Sequence, residues 1–304
     1  MNNFLEKIFE NRPKELGDSS KKLYTRNLIK LNDGKPVEDL NFLKDIKNIK
    51  AIIEPYAATT QRSYIISACV VLSGNDKYED LYNSYYNELS KMNNDLKNNT
   101  TKSESQKENW ITQDEVEEVF EKLNNEVKKL KKPKNKNEYN KYLYLMILAF
   151  FTQIAPRRPN DYAQLFIASN HDDKTKNYID ISESKLIFNV YKTSKTYNEI
   201  IIDIPKELMT IVKKYVNIQP ILKQKLKNKN YINEFLLDID NKPFNSNNIT
   251  KLLNKIFNGN VSASLLRNIY LSSKYSKVIK ELSDDTKNMS TSNDVALTNY
   301  IKKS

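Results

Sequence analysis

The sequence is poor in the residues on which most enzyme classes are built. Among 304 residues there are 4 glycines, one cysteine, one histidine and one tryptophan. A single cysteine, Cys69, excludes an internal disulfide and any zinc site made of several thiolates. It lies in "SYIISACVVL", an apolar helical stretch, and is expected as a small core residue. The single histidine, His171, cannot supply a histidine-rich metal site. It falls in the polar loop "SNHDDKTKN", where a solvated side chain is expected. A Ser-His-Asp hydrolase would have to use it, yet no G-x-S-x-G elbow is present. So few glycines leave no P-loop and no G-x-G-x-x-G fingerprint, which argues against ATP or dinucleotide chemistry. The longest apolar run, "YLYLMILAFFTQIA", is too short to span a bilayer, and no signal-peptide pattern is visible. The expectation is an intracellular protein that uses neither cofactor nor metal.

What the chain has in excess is positive charge and tyrosine. Lys+Arg number 49 against 38 Asp+Glu, a net charge of +11, and the pI is near 9.2. That balance favours a polyanionic partner, of which nucleic acid is the usual one. One of the 19 tyrosines, Tyr300, sits in the tail "MSTSNDVALTNYIKKS". There Val295, Leu297 and Ile301 suggest a short amphipathic helix, capped by Ser292 or Asn293.

The length suits two domains. Residues 1–95 read as helical. "SSKKLYTRNLIKLN" begins with a serine cap, and "YAATTQRSYIISACVVLSG" is capped by Thr59 or Thr60 and stopped by Gly74. Lys21, Lys22 and Arg62 fall in the first turns of these helices, where a cation opposes the helix dipole. A nearby phosphate backbone accounts for that placement, as ordinary solvated charge also does; with Arg26 these residues form the DNA-binding set of the first domain. Residues 96–109 are polar and read as a linker. A second domain spans 110–304. It opens with a helix capped by Thr112 or Asp114 and breaks at Pro133. "SKLIFNVY" and "NEIIIDIP" then form an antiparallel hairpin around the basic "KTSKTY". Helices follow in "PKELMTIVKKYV", "NSNNITKLLNKIF", "SASLLRNIYLSS" and "KVIKEL", and in the tail. The class is mainly α with a small antiparallel sheet.

Phosphodiester chemistry by a tyrosine needs three things. Two arginines must clamp the non-bridging oxygens, a general acid must protonate the leaving oxygen, and the phenol, with an ordinary pKa near 10, must be activated. No metal or nucleotide is required. The second domain resembles the catalytic domain of tyrosine recombinases, the phage-integrase family. In "PRRPNDYAQL" Arg158 is followed by Asp161 and Leu165 at the family's spacing, which Arg157 does not fit. Lys192 in "VYKTSKTY" matches the hairpin lysine, with Lys195 as its rival. "SLLRNIYLSS" resembles the second arginine box and gives Arg267, and "MSTSNDVALTNY" resembles the last box, ending on Tyr300.

The resemblance covers residues 110–304 and implies the DNA breaking-rejoining fold. It also implies a helical core-binding domain at the N-terminus and a two-domain clamp on duplex DNA. By this resemblance Tyr300 is the nucleophile, Arg158 and Arg267 bind the scissile phosphate, and Lys192 is the general acid. Arg157 and Lys195 join the DNA-binding set. The family works as a homo-tetramer on two DNA sites through a Holliday junction, which implies a monomer or weak dimer away from DNA. The wording is most similar to integrases of viruses and mobile elements with AT-rich genomes. Two positions depart from the pattern. Ser264 stands where histidine or lysine is usual, and Thr291 where histidine or tryptophan is usual. Both hydroxyls can donate to a phosphate oxygen, but neither can serve as a base near neutral pH. Two alternatives therefore stand beside a recombinase. One is a type IB topoisomerase-like relaxing enzyme, and the other is a DNA-binding protein with a degenerate site.

Overall fold

A computed structural model describes residues 3–98, 101–226 and 231–302. Two compact units emerge, residues 1–101 and 102–304. The first is built of α1 (Asn3–Glu10), α2 (Asp18–Leu31), α3 (Ile46–Ile53), α4 (Ala58–Leu72) and α5 (Glu79–Asn98). Its core gathers Leu5, Phe9, Leu28, Leu31, Ile49, Ile65, Ala68 and Leu72. Cys69 is buried there, and burial pushes its thiol up to about 11, so it stays protonated as a small apolar residue. Between α2 and α4 the buried Asn27 amide donates to the Ser63 carbonyl and to the Ser63 and Ser67 hydroxyls. Such a satisfied polar contact in an apolar seam fixes the register of the two helices.

The caps expected in this unit differ from those found. α2 starts after Gly17 and α4 after Ala57, neither with a side-chain cap, and Thr59 and Thr60 fall inside the first turn of α4. Gly74 follows α4 at φ +79°, a left-handed conformation that an L-residue avoids. The polar stretch read as a linker carries helix at both ends. α5 runs into it, and α6 (Glu104–Asn109) opens with a Ser103/Gln106 capping box.

The second unit continues with α7 (Gln113–Lys129), α8 (Lys136–Thr152) and α9 (Pro159–Ala163). Strands β1 (Leu165–Ala168), β2 (Asn177–Asp180) and β3 (Lys185–Phe188) follow. After α10 (Ser194–Tyr197) come β4 (Ile200–Asp203), α11 (Lys206–Ile218) and α12 (Pro220–Lys225). β5 (Ile232–Glu234), α13 (Ser246–Ile256), α14 (Ala263–Asn288) and α15 (Asn293–Val295) complete it, with a π-helical turn over Ala296–Tyr300. Thr112 caps α7 in a capping box with Glu115, as expected. α8 is buried nearly all round through Leu143, Leu145, Met146, Leu148 and Phe150, which is why its sequence shows no polar face.

The sheet order is β4-β3-β2-β1-β5. The expected hairpin is there: β3 and β4 pair antiparallel, with Phe188 opposite Ile200. The sheet as a whole is mixed rather than antiparallel, because β1 runs parallel to β2, with Leu165 opposite Asn177. The connection that turns the chain round, residues 169–176, contains no helix. It is held by the Tyr178 hydroxyl, which donates to the Asp173 carbonyl at 2.8 Å. His171 belongs to this connection, and it is not the free loop residue expected. Its Nε2 lies 2.6 Å from Oδ2 of the buried Asp180.

The helices expected separately over "SASLLRNIYLSS" and "KVIKEL" are one helix. α14 runs unbroken for 26 residues, about 39 Å at 1.5 Å per residue. Ser262 caps it through the Leu265 amide. Its first turns are embedded through Ala263, Leu265, Leu266 and Ile269, whereas Leu271, Tyr275, Val278 and Ile279 are exposed. No helix of the described residues is long and apolar enough to cross a membrane.

Candidate functional site

Arg157 and Arg158 enter at the turn between α8 and α9. Tyr162, fully buried and stacked on Phe150 at 4.5 Å, sets that turn. Its hydroxyl donates to the Phe150 carbonyl at 2.8 Å and accepts the Arg157 amide at 2.9 Å. Burial leaves the Tyr162 phenol far above its ordinary pKa, so it is a fixed neutral strut. Arg158 is the N-terminal boundary residue of α9, and Pro159 occupies the first helical position, where its missing amide costs nothing.

The two neighbouring arginines have opposite surroundings. Arg157 points inward. Its Nε donates to Asp161 at 3.1 Å, and its guanidinium lies over the rings of Phe188 at 4.0 Å and Tyr191 at 4.8 Å. Expected among the DNA-binding residues, it has a side chain only 14 % exposed. Arg158 is half-buried, and its side chain has no ion pair or hydrogen bond among the described residues. Arg267, on the embedded first turns of α14, is likewise half-buried and unpaired among them.

Arg158 and Arg267 meet in the field of one group. Asp161 is 3 % exposed, and burial raises its pKa above the ordinary 3.8. Arg157, Arg158 and Arg267 all oppose that rise through their charges. Three guanidinium charges therefore act on one carboxylate, and only Arg157 is hydrogen-bonded to it. Two cations acting on one carboxylate, with no ion pair of their own among the described residues, favour a bound anion. Ser264 is exposed three residues before Arg267, so the two share a face of α14.

Lys192 is exposed in the loop joining β3 to β4, directly after Tyr191, and Lys195 is exposed on α10. The Arg157–Tyr191 stack thus links the chain on either side: Arg158 follows one partner and Lys192 the other. Arg158 and Arg267 thus both act on Asp161, Ser264 lies one helical turn from Arg267, and Lys192 follows a ring that Arg157 covers.

Thr291 is held at the far end of α14, and Tyr300 lies nine residues beyond it. The Thr291 amide donates to the Thr286 carbonyl at 2.9 Å, and the Thr286 hydroxyl is 2.6 Å from Oδ1 of Asn293. The tail is thereby anchored 19 residues along α14 from Arg267, about 28 Å at the helical rise. Ser292 caps α15, as expected, and Ala296 is the buried residue of the π-helical turn, which the Ile301 amide closes onto the Ala296 carbonyl at 2.8 Å. Tyr300 is 59 % exposed, and its side chain makes no hydrogen bond or ring contact among the described residues.

Comparison with known proteins adds little to this geometry. No family model matches the chain. No curated protein matches it. Among solved structures, a crystal structure of XerA recombinase is similar over 89 % of this chain and 81 % of its own, at 14 % identity and a TM-score of 0.36. A likeness that remote leaves function to the chemistry of the site.

In the first unit, Lys22 and Arg26 are exposed on α2 four residues apart, with Lys21 half-buried beside them. Lys30, not picked out from the sequence, is also exposed and extends the row by another four residues. Arg62 on α4 is tethered through its Nε to Asn93 of α5 at 2.5 Å. Tyr162 and Asn177 carry no signal in the sequence pattern, and Asp161 is marked there only as the acid three residues beyond Arg158.

Proposed function

We propose that this protein is a tyrosine-dependent DNA strand transferase, a site-specific recombinase or integrase of a virus or mobile element. The observation that supports it most is the pair of unpaired guanidiniums, Arg158 and Arg267, around an already occupied Asp161. A phosphodiester is the anion whose geometry suits two such forks. In the proposed reaction the Tyr300 hydroxyl loses its proton to solvent, and its oxygen forms a bond to phosphorus. The bond from phosphorus to the 5′ oxygen breaks, and Lys192 gives that oxygen a proton. The products are a 3′-phosphotyrosyl link and a free 5′-hydroxyl. Arg158, Arg267 and the Ser264 hydroxyl stabilise the charge that develops on the phosphorane. A 5′-hydroxyl from another strand reverses the step. The α2 row of Lys22, Arg26 and Lys30, with Lys21 and Arg62 beside it, contacts the DNA backbone, and Lys195 contacts it beside the site. Four protomers on two sites would complete strand exchange.

Because the tail is anchored about 28 Å along α14 from Arg267, the proposed reaction has the tail move to the phosphate once DNA is bound. The same separation favours a second reading, a DNA-binding protein that does not cleave. Covalent trapping on a randomised duplex library carrying nicks decides between them, because a nick beside the scissile phosphate lets the leaving fragment diffuse away. Detergent-resistant adducts from the intact protein, absent with Tyr300→Phe, are the expected result, and their DNA reports the target. DNA binding without adduct overturns the enzyme. Relaxation of supercoiled DNA by a monomer, without strand-transfer products, would assign it instead to the topoisomerase type.

A further inference from the structure

Building on the strand-transfer reading above, we infer that Arg157 is a positioning residue for Lys192, acting through Tyr191. The loop after β3 is exposed at Lys192 and from Lys195 to Glu199, so its geometry depends on how its first residues are held. Two buried devices hold them. The Asn177 side chain, wholly buried in β2, donates to the Val190 carbonyl at 2.8 Å and to the Asp161 carbonyl at 3.4 Å. Its oxygen accepts the Asn189 and Val190 amides at 2.9 and 2.7 Å. The second device is the Arg157 guanidinium, fixed in plane by Asp161 and lying over both Phe188, the last residue of β3, and Tyr191. Tyr191 then closes the loop, its hydroxyl donating to the Asn198 carbonyl at 2.7 Å.

The consequence is a continuous line of side chains from α9 to the lysine. Asp161 orients Arg157, Arg157 orients Tyr191, and Lys192 follows Tyr191 in the chain. Because Arg158 follows Arg157, one buried group sets the phosphate clamp and the proton donor relative to each other. A lysine at position 157 would keep the charge but lose the planar face that lies over the rings while the arginine Nε donates to Asp161. Displacement of a reacting group by about 1 Å is enough to cost on the order of 10² in rate.

The test asks whether the damage lies at the leaving group. DNA recovered by trapping is prepared with the ordinary 5′ oxygen, or with sulfur at that bridging position. A thiolate leaves without a proton, so the sulfur substrate removes the need for a general acid. Lys192→Ala sets the reference. Arg157→Lys and Tyr191→Leu are each expected to cleave the oxygen substrate about 10²-fold more slowly than the intact protein, and to come within about threefold of it on sulfur. Tyr191→Leu leaves the Arg157–Asp161 pair in place, so it separates loop placement from loss of the ion pair, and thermal unfolding of each variant reports the fold. Equal loss on both substrates, or no loss on either, overturns the inference. An intact protein that forms no adduct on either substrate overturns the strand-transfer reading itself.

Discussion

The two halves of the candidate site are built in opposite ways. The arginine half is embedded: Tyr162, Asp161 and Asn177 are each at most 3 % exposed, and every polar contact that aims Arg157 is made before any ligand arrives. The tyrosine half hangs on the far end of α14, with Ala296 buried and Tyr300, Leu297 and Ile301 open to solvent. Electrostatic stabilisation gains from being fixed in advance, because a donor that must reorganise during the reaction loses much of its effect. A nucleophile has the opposite requirement where uncontrolled cleavage would be harmful. In the proposed reaction Tyr300 attacks only after the bound complex brings it to the phosphate.

That contrast predicts different failures for the two halves. Tyr300→Phe has the largest expected effect: covalent adduct disappears entirely, while the unfolding temperature and DNA affinity stay unchanged, because an exposed side chain without partners contributes within about 0.5 kcal/mol. A fall in stability comparable to a core substitution would mean that the tail packs more tightly than its exposure indicates. Arg267→Ala is next. Adduct still forms, but about 10²–10³-fold more slowly, the usual cost of losing one transition-state donor. Its second signature does not need DNA. Sulfate or pyrophosphate raises the unfolding temperature of the intact protein by mass action, and should do so less in Arg267→Ala or Arg158→Ala. Equal anion stabilisation in all three proteins would show that the two guanidiniums do not share an anion.

Much of the embedded half could be read in the sequence, and the reason is local. Arg158 and Asp161 are three residues apart around the start of one helix, and Arg267 sits in an apolar stretch where a charge must have a purpose. The environment of Arg157 could not be read that way. Nothing in "PRRPND" says which arginine turns inward; that is settled by Tyr162, whose hydroxyl holds the Arg157 amide, and by rings arriving from β3. Asn177 was invisible for the same reason, since its partners lie 12 to 16 residues away. The parallel pairing of β1 with β2 escaped because four-residue strands carry almost no periodic signal. The continuity of α14 was missed through segmentation, although no glycine or proline interrupts residues 263–288.

Asp161 supplies the next test of the embedded half. Burial outweighs its three arginines and raises its pKa, so protonation is easier in the native state than in the unfolded chain. The native protein therefore binds more protons than the unfolded chain as pH rises from the ordinary 3.8 to the raised value. Across that window the Asp161 contribution makes stability fall with rising pH, and above it the penalty is constant. Asp161→Asn, a neutral group of the same shape, should lose this slope and keep the fold. Asp161→Ala leaves Arg157 without an acceptor and should cost roughly 3 kcal/mol, read as a lower midpoint in denaturant. If the Asn variant proves as unstable as the Ala variant, the ionised carboxylate is the stabilising form and the direction of its pKa shift is wrong.

The smallest expected loss of stability comes from cutting the tail, which also removes Tyr300. Ending the chain at Ser292 removes the Thr286–Asn293 hydrogen bond and the burial of Ala296, and leaves the cluster around Asp161 intact. One partly exposed hydrogen bond is worth about 1 kcal/mol. In a unit of this size that corresponds to about 2–4 °C in the unfolding temperature. Anion stabilisation should be fully retained, since every group assigned to it lies before residue 270. A truncated protein that keeps sulfate stabilisation but forms no adduct would separate the fixed half of the site from the delivered half. One that loses anion stabilisation as well would show that the tail already supports the arginines in the free protein, and that the separation of about 28 Å along α14 is bridged by contacts from the tail.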